Sequence, residues 1–247
     1  MLRKLSCLRL FVLAGCAALS TGCLIPHGSN ARPVQPLPEG TALIGANVVV
    51  PFAIAGNIDL AGDSFSGSGV LDDFNITPGG SFDLALTKAG TTLGLDLSYA
   101  SLLSAQDGAD SARVGFLFVN PRLEIPLQDE KRSLSLTIDA SVAVLLASAS
   151  SGGDSGSGAG FFPMPTFGLR YYLPIGDGGL IISQSIGTAF INFYMPGSVA
   201  YDIAIGNLHI MPEFKWDPTL IAVTSDESSA SVFTSWFSGG LAVMYAL

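Results

Sequence analysis

A two-residue alternation between Ser133 and Leu146 is the sequence feature that most limits how this chain can fold. In SLSLTIDASVAVLL, every even position from Leu134 to Leu146 is apolar, and the odd positions up to Ala143 are small or polar. Successive residues of a β-strand point to opposite faces, so the segment predicts a strand with one apolar face and one small, polar face. Its length exceeds the roughly 9–11 residues that a tilted strand needs to cross a bilayer.

Composition agrees with strands that cross a membrane. The chain has 247 residues, 49% hydrophobic and only 13% charged, with a mean hydropathy of +0.50. Beyond the N-terminus it lacks the continuous apolar run of about 18 residues that a transmembrane helix needs. High hydropathy without such runs is typical of a transmembrane β-barrel, because each strand alternates an apolar outer face with a polar inner one. The net charge of −9 argues against a nucleic-acid partner, because phosphate binding needs basic patches.

We therefore predict an all-β fold, a single antiparallel up-and-down barrel over residues 41–247 with about ten strands; eight and twelve remain alternatives. The predicted strands are 41–53, 80–88, 91–103, 112–125, 133–148, 164–174, 179–191, 198–206, 207–216 and 235–247. Short turns are expected at 88–91, 126–131, 175–178 and 206–207, and longer Gly/Ser/Asp-rich loops at 54–79, 104–111, 149–163, 192–197 and 217–234. Short turns on one side and long loops on the other are typical of outer-membrane barrels. An even strand count places both termini on the short-turn, periplasmic side.

The N-terminus reads as an export signal over residues 1–22, in which basic residues precede the apolar run LFVLAGCAAL. LAGC (13–16) and STGC (20–23) resemble the lipobox of bacterial lipoproteins, which implies that a cysteine becomes the lipidated first residue. We favour Cys23, with Cys16 as the alternative and an ordinary cleaved signal as a third reading. Leu24 follows, which by the same resemblance favours sorting to the outer membrane. Residues 23–40 are rich in proline and predict an extended periplasmic tether.

Aromatic residues and the last strand strengthen the resemblance to small bacterial outer-membrane β-barrel proteins, over about residues 41–247. The final segment SGGLAVMYAL resembles the C-terminal signal that the barrel-assembly machinery reads, although it ends in Leu247 rather than Phe. The resemblance implies outer-membrane lipid and lipopolysaccharide as surroundings and the assembly machinery as a partner during biogenesis. Two girdles of aromatic residues are expected at the membrane interfaces: Tyr99, Phe161, Phe162, Phe193, Tyr194, Trp216 and Trp236 near the loops, and Tyr171, Tyr172 and Tyr245 near the turns.

The sequence assigns no catalytic residue, metal ligand or cofactor. His27 lies in the tether, and His209 has the parity of the barrel interior. A lipid-modifying hydrolase would need a serine beside His209, and a packed interior histidine is the preferred reading. The mature chain has no cysteine framework or HxH spacing for a metal. We expect a non-enzymatic outer-membrane barrel with a structural or surface-interaction role. Narrow transport of small solutes is a second possible role of the same barrel. The alternatives are the hydrolase and a soluble periplasmic β-barrel lipoprotein.

Charged residues on the inward parity predict a cluster in the barrel interior, since an unpaired buried charge is costly. In the hairpin closed at Ala89-Gly90, pairing Lys88 with Thr91 would place Asp83 directly opposite Asp96. Two opposed carboxylates either share a proton or need a cation. Arg170 is the first candidate for the cation and Arg122 the second. The cluster is expected to be structural and to include Asp83, Asp96, Arg170, Arg122, Asp139, Asp202 and Glu213, with Glu124, Lys215 and His209 sharing the inward parity.

Two local features break the alternation. The outward parity of strand 112–125 changes near Val119-Asn120, which predicts a β-bulge. Gln184 falls on the apolar parity of its strand, and the sequence gives no reason for it.

Overall fold

The structure, a computed structural model, describes residues 29, 31–33, 38–60, 63–70, 76–107, 110–127, 134–151, 154–189, 192–224 and 229–247. The described part of the chain forms β-strands that follow one another in antiparallel order. They are β1 (Ala42–Leu60), β2 (Asp63–Val70), β3 (Thr77–Ala85), β4 (Thr92–Asp107), β5 (Asp110–Pro126), β6 (Leu134–Ser151), β7 (Asp154–Ile175), β8 (Gly178–Ala189), β9 (Asn192–Tyr194), β10 (Gly197–Ile205), β11 (Leu208–Thr224) and β12 (Ser229–Ala246). In these ranges no helix is long and apolar enough to cross a membrane.

The strands close into a barrel of ten. β2 and β3 both pair with β1, and β9 and β10 both lie between β8 and β11, so each of these two pairs of segments forms one interrupted strand. The sheet closes where β1 pairs with β12, from Leu43↔Ala246 to Leu60↔Ala230. The predicted all-β, ten-stranded antiparallel barrel is confirmed.

The alternation that predicted the strands also decides which face lies inside. On β6, Ser135, Thr137 and Ser141 are buried, whereas the apolar residues between them are half-buried or exposed. The same inversion holds around the barrel, where large apolar side chains cover the exterior. Phe167, Ile186 and Ile44 are 57%, 55% and 54% exposed, which is far more apolar surface than a soluble protein presents.

The interior is layered along the barrel axis. At the short-turn end, which we call the lower end, an apolar cluster contains Leu43, Ala85, Tyr172, Ile181, Ala200, Met211, Ala242 and Met244. Towards the other end, which we call the upper end, a second cluster is formed by Ala100, Phe118, Ala143, Met164 and Tyr194 on β4, β5, β6, β7 and β9. On β7, Arg170 and Thr166 lie between Tyr172 below and Met164 above, so polar and charged residues occupy the level between the two clusters.

The long loops predicted at the upper end are wrong in extent, because most of their described residues continue the strands. The hairpins pair as far as Leu60↔Asp63, Asp107↔Asp110, Ser151↔Asp154 and Thr224↔Ser229. Gly, Ser and Asp lack the apolar alternation that marks a strand, but their backbone groups still form the ladder hydrogen bonds. Hydrophobic pattern therefore underestimates strand length wherever both faces of a hairpin are polar.

The bulge predicted near Val119-Asn120 is also wrong. Val119↔Val142 and Arg122↔Asp139 belong to one unbroken register, and the register shifts lie instead between Pro51 and Ala53 and between Ser101 and Leu103. The sequence pattern resembles a change of parity because Phe118 is apolar and points inward, where it belongs to the upper cluster.

The aromatic girdles are only partly as predicted. Tyr99, Phe161 and Phe193 are exposed towards the upper end, and Tyr171 and Tyr245 are exposed towards the lower end. Tyr172 and Tyr194 are buried in the interior clusters instead, because alternation places each on the opposite face from its exposed neighbour. Their hydroxyl groups donate hydrogen bonds inside the barrel, to Glu124 Oε1 at 2.8 Å and to the Met164 carbonyl at 2.7 Å.

Candidate functional site

Two aspartates and two arginines form a closed ring of ion pairs inside the lower half of the barrel, which we call the charge ring. Asp83 lies on β3, Asp96 on β4 and Arg122 on β5, whereas Arg32 lies on the N-terminal segment before the first strand. Arg32 Nε is 2.6 Å from Asp83 Oδ2, and Arg122 Nη1 is 2.9 Å from Asp96 Oδ2. The ring is completed by Arg32 Nη2 with Asp96 Oδ1 and by Arg122 Nη2 with Asp83 Oδ1.

Each member of the charge ring contacts two opposite charges and is buried, with Asp83 0% and Arg32 2% exposed. Every carboxylate oxygen of the two aspartates therefore faces a guanidinium nitrogen. Such an arrangement offsets the desolvation cost that an isolated buried charge would have. A closed, balanced ring fixes the positions of three barrel strands and the N-terminal segment relative to one another.

The register predicted for this hairpin is wrong by two residues. Asp83 pairs with Gly94 and Asp96 pairs with Ser81, so the two aspartates are diagonal neighbours on the inner face. The turn lies one residue earlier than expected, over 87–90 instead of 88–91: the Gly90 amide donates to the Thr87 carbonyl at 3.0 Å, and the Leu86 amide donates to the Thr91 carbonyl at 2.7 Å. A guanidinium bridges this diagonal, because diagonal neighbours lie about 7–8 Å apart.

The ranking of the two candidate arginines was also wrong. Arg122, the second candidate, bridges the two aspartates, whereas Arg170 pairs with Glu124, with Nη1 2.5 Å from Oε2. Tyr172 donates to the other oxygen of Glu124. Arg122 reaches the aspartates because β5 is the direct neighbour of β4, with Gly94↔Arg122 a paired position. The contact also requires a glycine at position 94, since a Cβ there would lie 2.2 Å from Asp83 Oδ1.

The predicted tether differs most from the structure. Of residues 23–40, the described Ser29, Ala31, Arg32 and Pro33 lie buried inside the barrel rather than beside it. The Ser29 amide donates to Asn47 Oδ1 at 3.3 Å, and Ala31 belongs to the lower apolar cluster. Pro38 to Gly40 form the turn into β1, with the Gly40 amide bonded to the Ala85 carbonyl. Cys23, Cys16 and the signal segment lie outside the described residues.

Arg32 is the functional residue that reasoning from the sequence missed. It lies in a proline-rich stretch without periodicity, so no local pattern assigns it to the interior. Charge balance was the one indication that a further cation enters the barrel, because the buried groups of the strands include more carboxylates than cations. A lumen with excess acid needs another cation, and Arg32 is the nearest one along the chain before the first strand.

Asp139 lies outside the charge ring, on the wall of a small polar cavity. Its Oδ2 accepts a hydrogen bond from Thr166 Oγ1 at 2.7 Å, and Ser141 Oγ donates to Asn120 Oδ1 at 2.7 Å beside it. The cavity has room for about one water molecule and is lined by Asn120, Thr137, Asp139, Ser141, Thr166, Arg170, Ser183, Ser185 and Pro196. Its size suits ordered water rather than an organic ligand.

His209 and Asp202 form a separate pair near the lower end. The imidazole Nδ1 lies 2.9 Å and 3.1 Å from the two carboxylate oxygens of Asp202, and both residues are buried. The pair positions the ring, as the second and third members of a Ser-His-Asp triad do, but the hydrogen bonds described for His209 include no serine.

Glu213 and Lys215 lie buried on the inner face of β11, which is not one of the strands that carry the charge ring. Among the described residues, no group of three His, Cys, Asp or Glu side chains is arranged to hold a metal ion. The predicted cluster is thus divided into the charge ring, the Arg170–Glu124 pair, the Asp202–His209 pair, Asp139 with its Thr166 donor, and Glu213 on β11.

Comparison with known proteins gives similarity at the level of the fold. No protein-family model matches the chain, and no curated protein matches its sequence. Among solved structures, it is similar to the outer membrane protease OmpT of Escherichia coli, with a TM-score of 0.53 and 14% identity over 87% of this chain and 99% of that one. Ail, the attachment invasion locus protein of Yersinia pestis, matches with a TM-score of 0.40 and 11% identity over 83% of this chain and 99% of Ail. Neisserial surface protein A matches with a TM-score of 0.31 and 12% identity over 83% and 99%. The chain has the fold of bacterial outer-membrane β-barrels.

Proposed function

We propose that this protein is a non-enzymatic outer-membrane β-barrel lipoprotein with a structural or surface-interaction role. The observation that carries the proposal is the inverted distribution of polarity: the exterior of a closed barrel is apolar, and its charges are paired inside. An apolar exterior is stable in a bilayer and costly in water. A soluble periplasmic barrel would need the opposite arrangement.

The paired charges inside the barrel support an interior that is filled by side chains and closed to solutes. A barrel of about eight strands is filled by side chains, and ten strands add little width. The lower apolar cluster, the charge ring and the N-terminal segment together fill the interior at the lower end. Narrow transport of small solutes is therefore our second proposed function. It would require some of the groups that fill the lower interior to move.

Surface interaction is assigned to the upper hairpins. They carry small and acidic residues at their described ends, such as Asp63, Asp107, Asp110 and Asp154, and they extend the strands beyond the upper cluster. We place this end at the cell surface and both termini in the periplasm, next to lipopolysaccharide on the outside and to the barrel-assembly machinery during biogenesis.

Gel migration tests the membrane barrel against the soluble alternative. The unheated protein extracted in detergent should migrate as a compact band and shift on boiling, and the membrane fraction should retain it after carbonate washing. Release of the protein into the periplasmic fraction, with no heat-dependent shift, would favour the soluble lipoprotein.

Labelling tests lipidation. Palmitate should label the mature chain, and Cys23→Ala should abolish the label while Cys16→Ala leaves it. Label that persists in Cys23→Ala and vanishes in Cys16→Ala would move the first mature residue to position 16.

The hydrolase alternative rests on the Asp202–His209 pair, which provides an oriented imidazole. Mass spectrometry of lipid A from cells with and without the protein, and from cells with His209→Gln, tests it. A change in lipid A acylation that depends on His209 would support the hydrolase and contradict the non-enzymatic proposal. The same experiment with Arg113→Ala, an exposed residue of β5, is the matched control.

A further inference from the structure

The N-terminal segment fills the barrel without being part of its wall. The hydrogen bonds and ion pairs that join the described residues 29 and 31–33 to the wall all end on side chains, those of Asn47, Asp83 and Asp96. The barrel strands pair with one another around the whole circumference without this segment. Its withdrawal would therefore leave the ladder hydrogen bonds intact.

The wall offers Arg32 a preformed site. Asp83 and Asp96 already share the guanidinium of Arg122 and present their remaining oxygens, Oδ2 of Asp83 and Oδ1 of Asp96, to Arg32. Two carboxylate oxygens facing one planar fork are the arrangement that distinguishes a guanidinium from an ammonium group. This side of the charge ring is a binding site for a guanidinium cation.

Above the charge ring, part of the interior is lined by polar groups. Thr77, Asp217, Thr219 and Ser238 are buried on strands β3, β11 and β12, opposite the aromatic side of the upper cluster, and each has a side-chain oxygen without a protein hydrogen-bond partner. Such groups favour water and small ions. Among the described residues, the buried charges comprise six carboxylates and four Lys or Arg side chains, so the interior favours cations.

We propose that the N-terminal segment with the described residues 29 and 31–33 forms a displaceable plug: Arg32 occupies a guanidinium-binding site made by Asp83, Asp96 and Arg122, and withdrawal of the segment opens the barrel to small cations. The inference rests on the proposed membrane location and specifies its transport form. A small molecule that carries a guanidinium group would compete with Arg32 for this site.

Planar-bilayer current tests the plug. The purified wild-type protein should stay mostly closed, and Arg32→Ala should increase the open fraction by about a hundredfold, because a buried ion-paired contact is lost from one of two states. The current should be cation-selective. Millimolar methylguanidinium should suppress the current of Arg32→Ala, and methylammonium at the same concentration should not. Arg113→Ala, which removes an exposed arginine from the strand that carries Arg122, should behave as the wild type.

Arg32→Lys keeps the proposal testable if Arg32→Ala does not fold. Lysine preserves the charge but cannot bridge both carboxylates as a fork, so this variant should fold and conduct more than the wild type. Heat-modifiable migration reports folding for every variant. Folded Arg32→Ala or Arg32→Lys protein with wild-type current would overturn the plug, and so would current that methylguanidinium does not change. A wild type without heat-modifiable migration would instead contradict the proposed membrane barrel.

Discussion

Gln184 is the residue whose position the sequence left unexplained, and the structure gives its reason. It faces outward on β8, beside the interruption between β9 and β10, where Met195 and Pro196 leave the regular ladder. Its side-chain amide donates to the carbonyls of Met195 at 3.0 Å and Pro196 at 3.2 Å. The Pro196 carbonyl also accepts from the Ser185 amide at 2.9 Å, so the bond to the Met195 carbonyl is the one that matters. Since a carbonyl without a partner is costly in an apolar environment, the polar side chain stabilises an irregular backbone.

Replacing Gln184 by Met should therefore destabilise the barrel although it makes the exterior more apolar. We expect a loss of about 1–2 kcal/mol, the effect of leaving a carbonyl unsatisfied. Urea unfolding in detergent micelles measures it. Leu169→Met, at the cross-strand partner of Gln184, is the control and should change little. Equal stability of both variants would contradict this role.

Arg122 is a second test at the level of single residues. Arg122→Ala leaves Asp83 and Asp96 sharing one guanidinium and should cost about 3–5 kcal/mol, as removal of one member of a buried ion pair does. Because Arg32 makes the ring balanced, we expect Asp83→Asn to cost a similar amount and the double variant less than the sum. Unfolding midpoints in urea measure the coupling, and additive effects would show that the ring is not one unit.

The strand connections show at the level of elements how a turn is fixed. Gly206 lies in the short turn between β10 and β11 with a φ of +61°, and a Cβ built on it meets no atom within 4 Å. A substitution there is disfavoured by backbone conformation alone, since a side chain in the left-handed region costs roughly 1–2 kcal/mol.

Gly206→Ala should therefore lower the free energy of unfolding by about 1 kcal/mol. Gly156, on the upper part of β7, also has open space for a Cβ but no positive φ. Gly156→Ala should be neutral or slightly stabilising, because it reduces the freedom of the unfolded chain. The temperature at which each variant loses its compact, folded gel band measures the difference. Comparing the two variants separates the effect of backbone conformation from the effect of steric crowding by the new methyl group. An equal loss in both would assign the effect to something other than φ.

At the level of the whole molecule, the asymmetry of the two barrel ends predicts the orientation. Protease sites inserted into 149–163 or 217–234 should be cleaved on intact cells, because these ranges belong to the upper hairpins. Sites at 126–131 should be cleaved only after the outer membrane is permeabilised. The opposite pattern would reverse the orientation and place the termini at the cell surface.

The sequence determined the class of fold because alternation is local. A two-residue period assigns an inner and an outer face to each strand, and turns with glycine at positive φ, such as Gly176 and Gly206, separate neighbouring strands. The strand count and the inward positions of Asp83, Asp96 and Arg122 follow from these local signals. Hairpin ends rich in Gly and Ser carry no such signal, so their pairing was missed.

Tertiary structure alone decided which charges meet. Contact between Asp83, Asp96 and Arg122 depends on register, and a turn that lies one residue earlier than predicted shifts the pairing by two residues. The entry of Arg32 depends on no local pattern at all. It follows from the electrostatics of the closed interior, where two carboxylates beside one guanidinium need a second cation. That requirement exists only once the barrel has closed and excluded water from both aspartates.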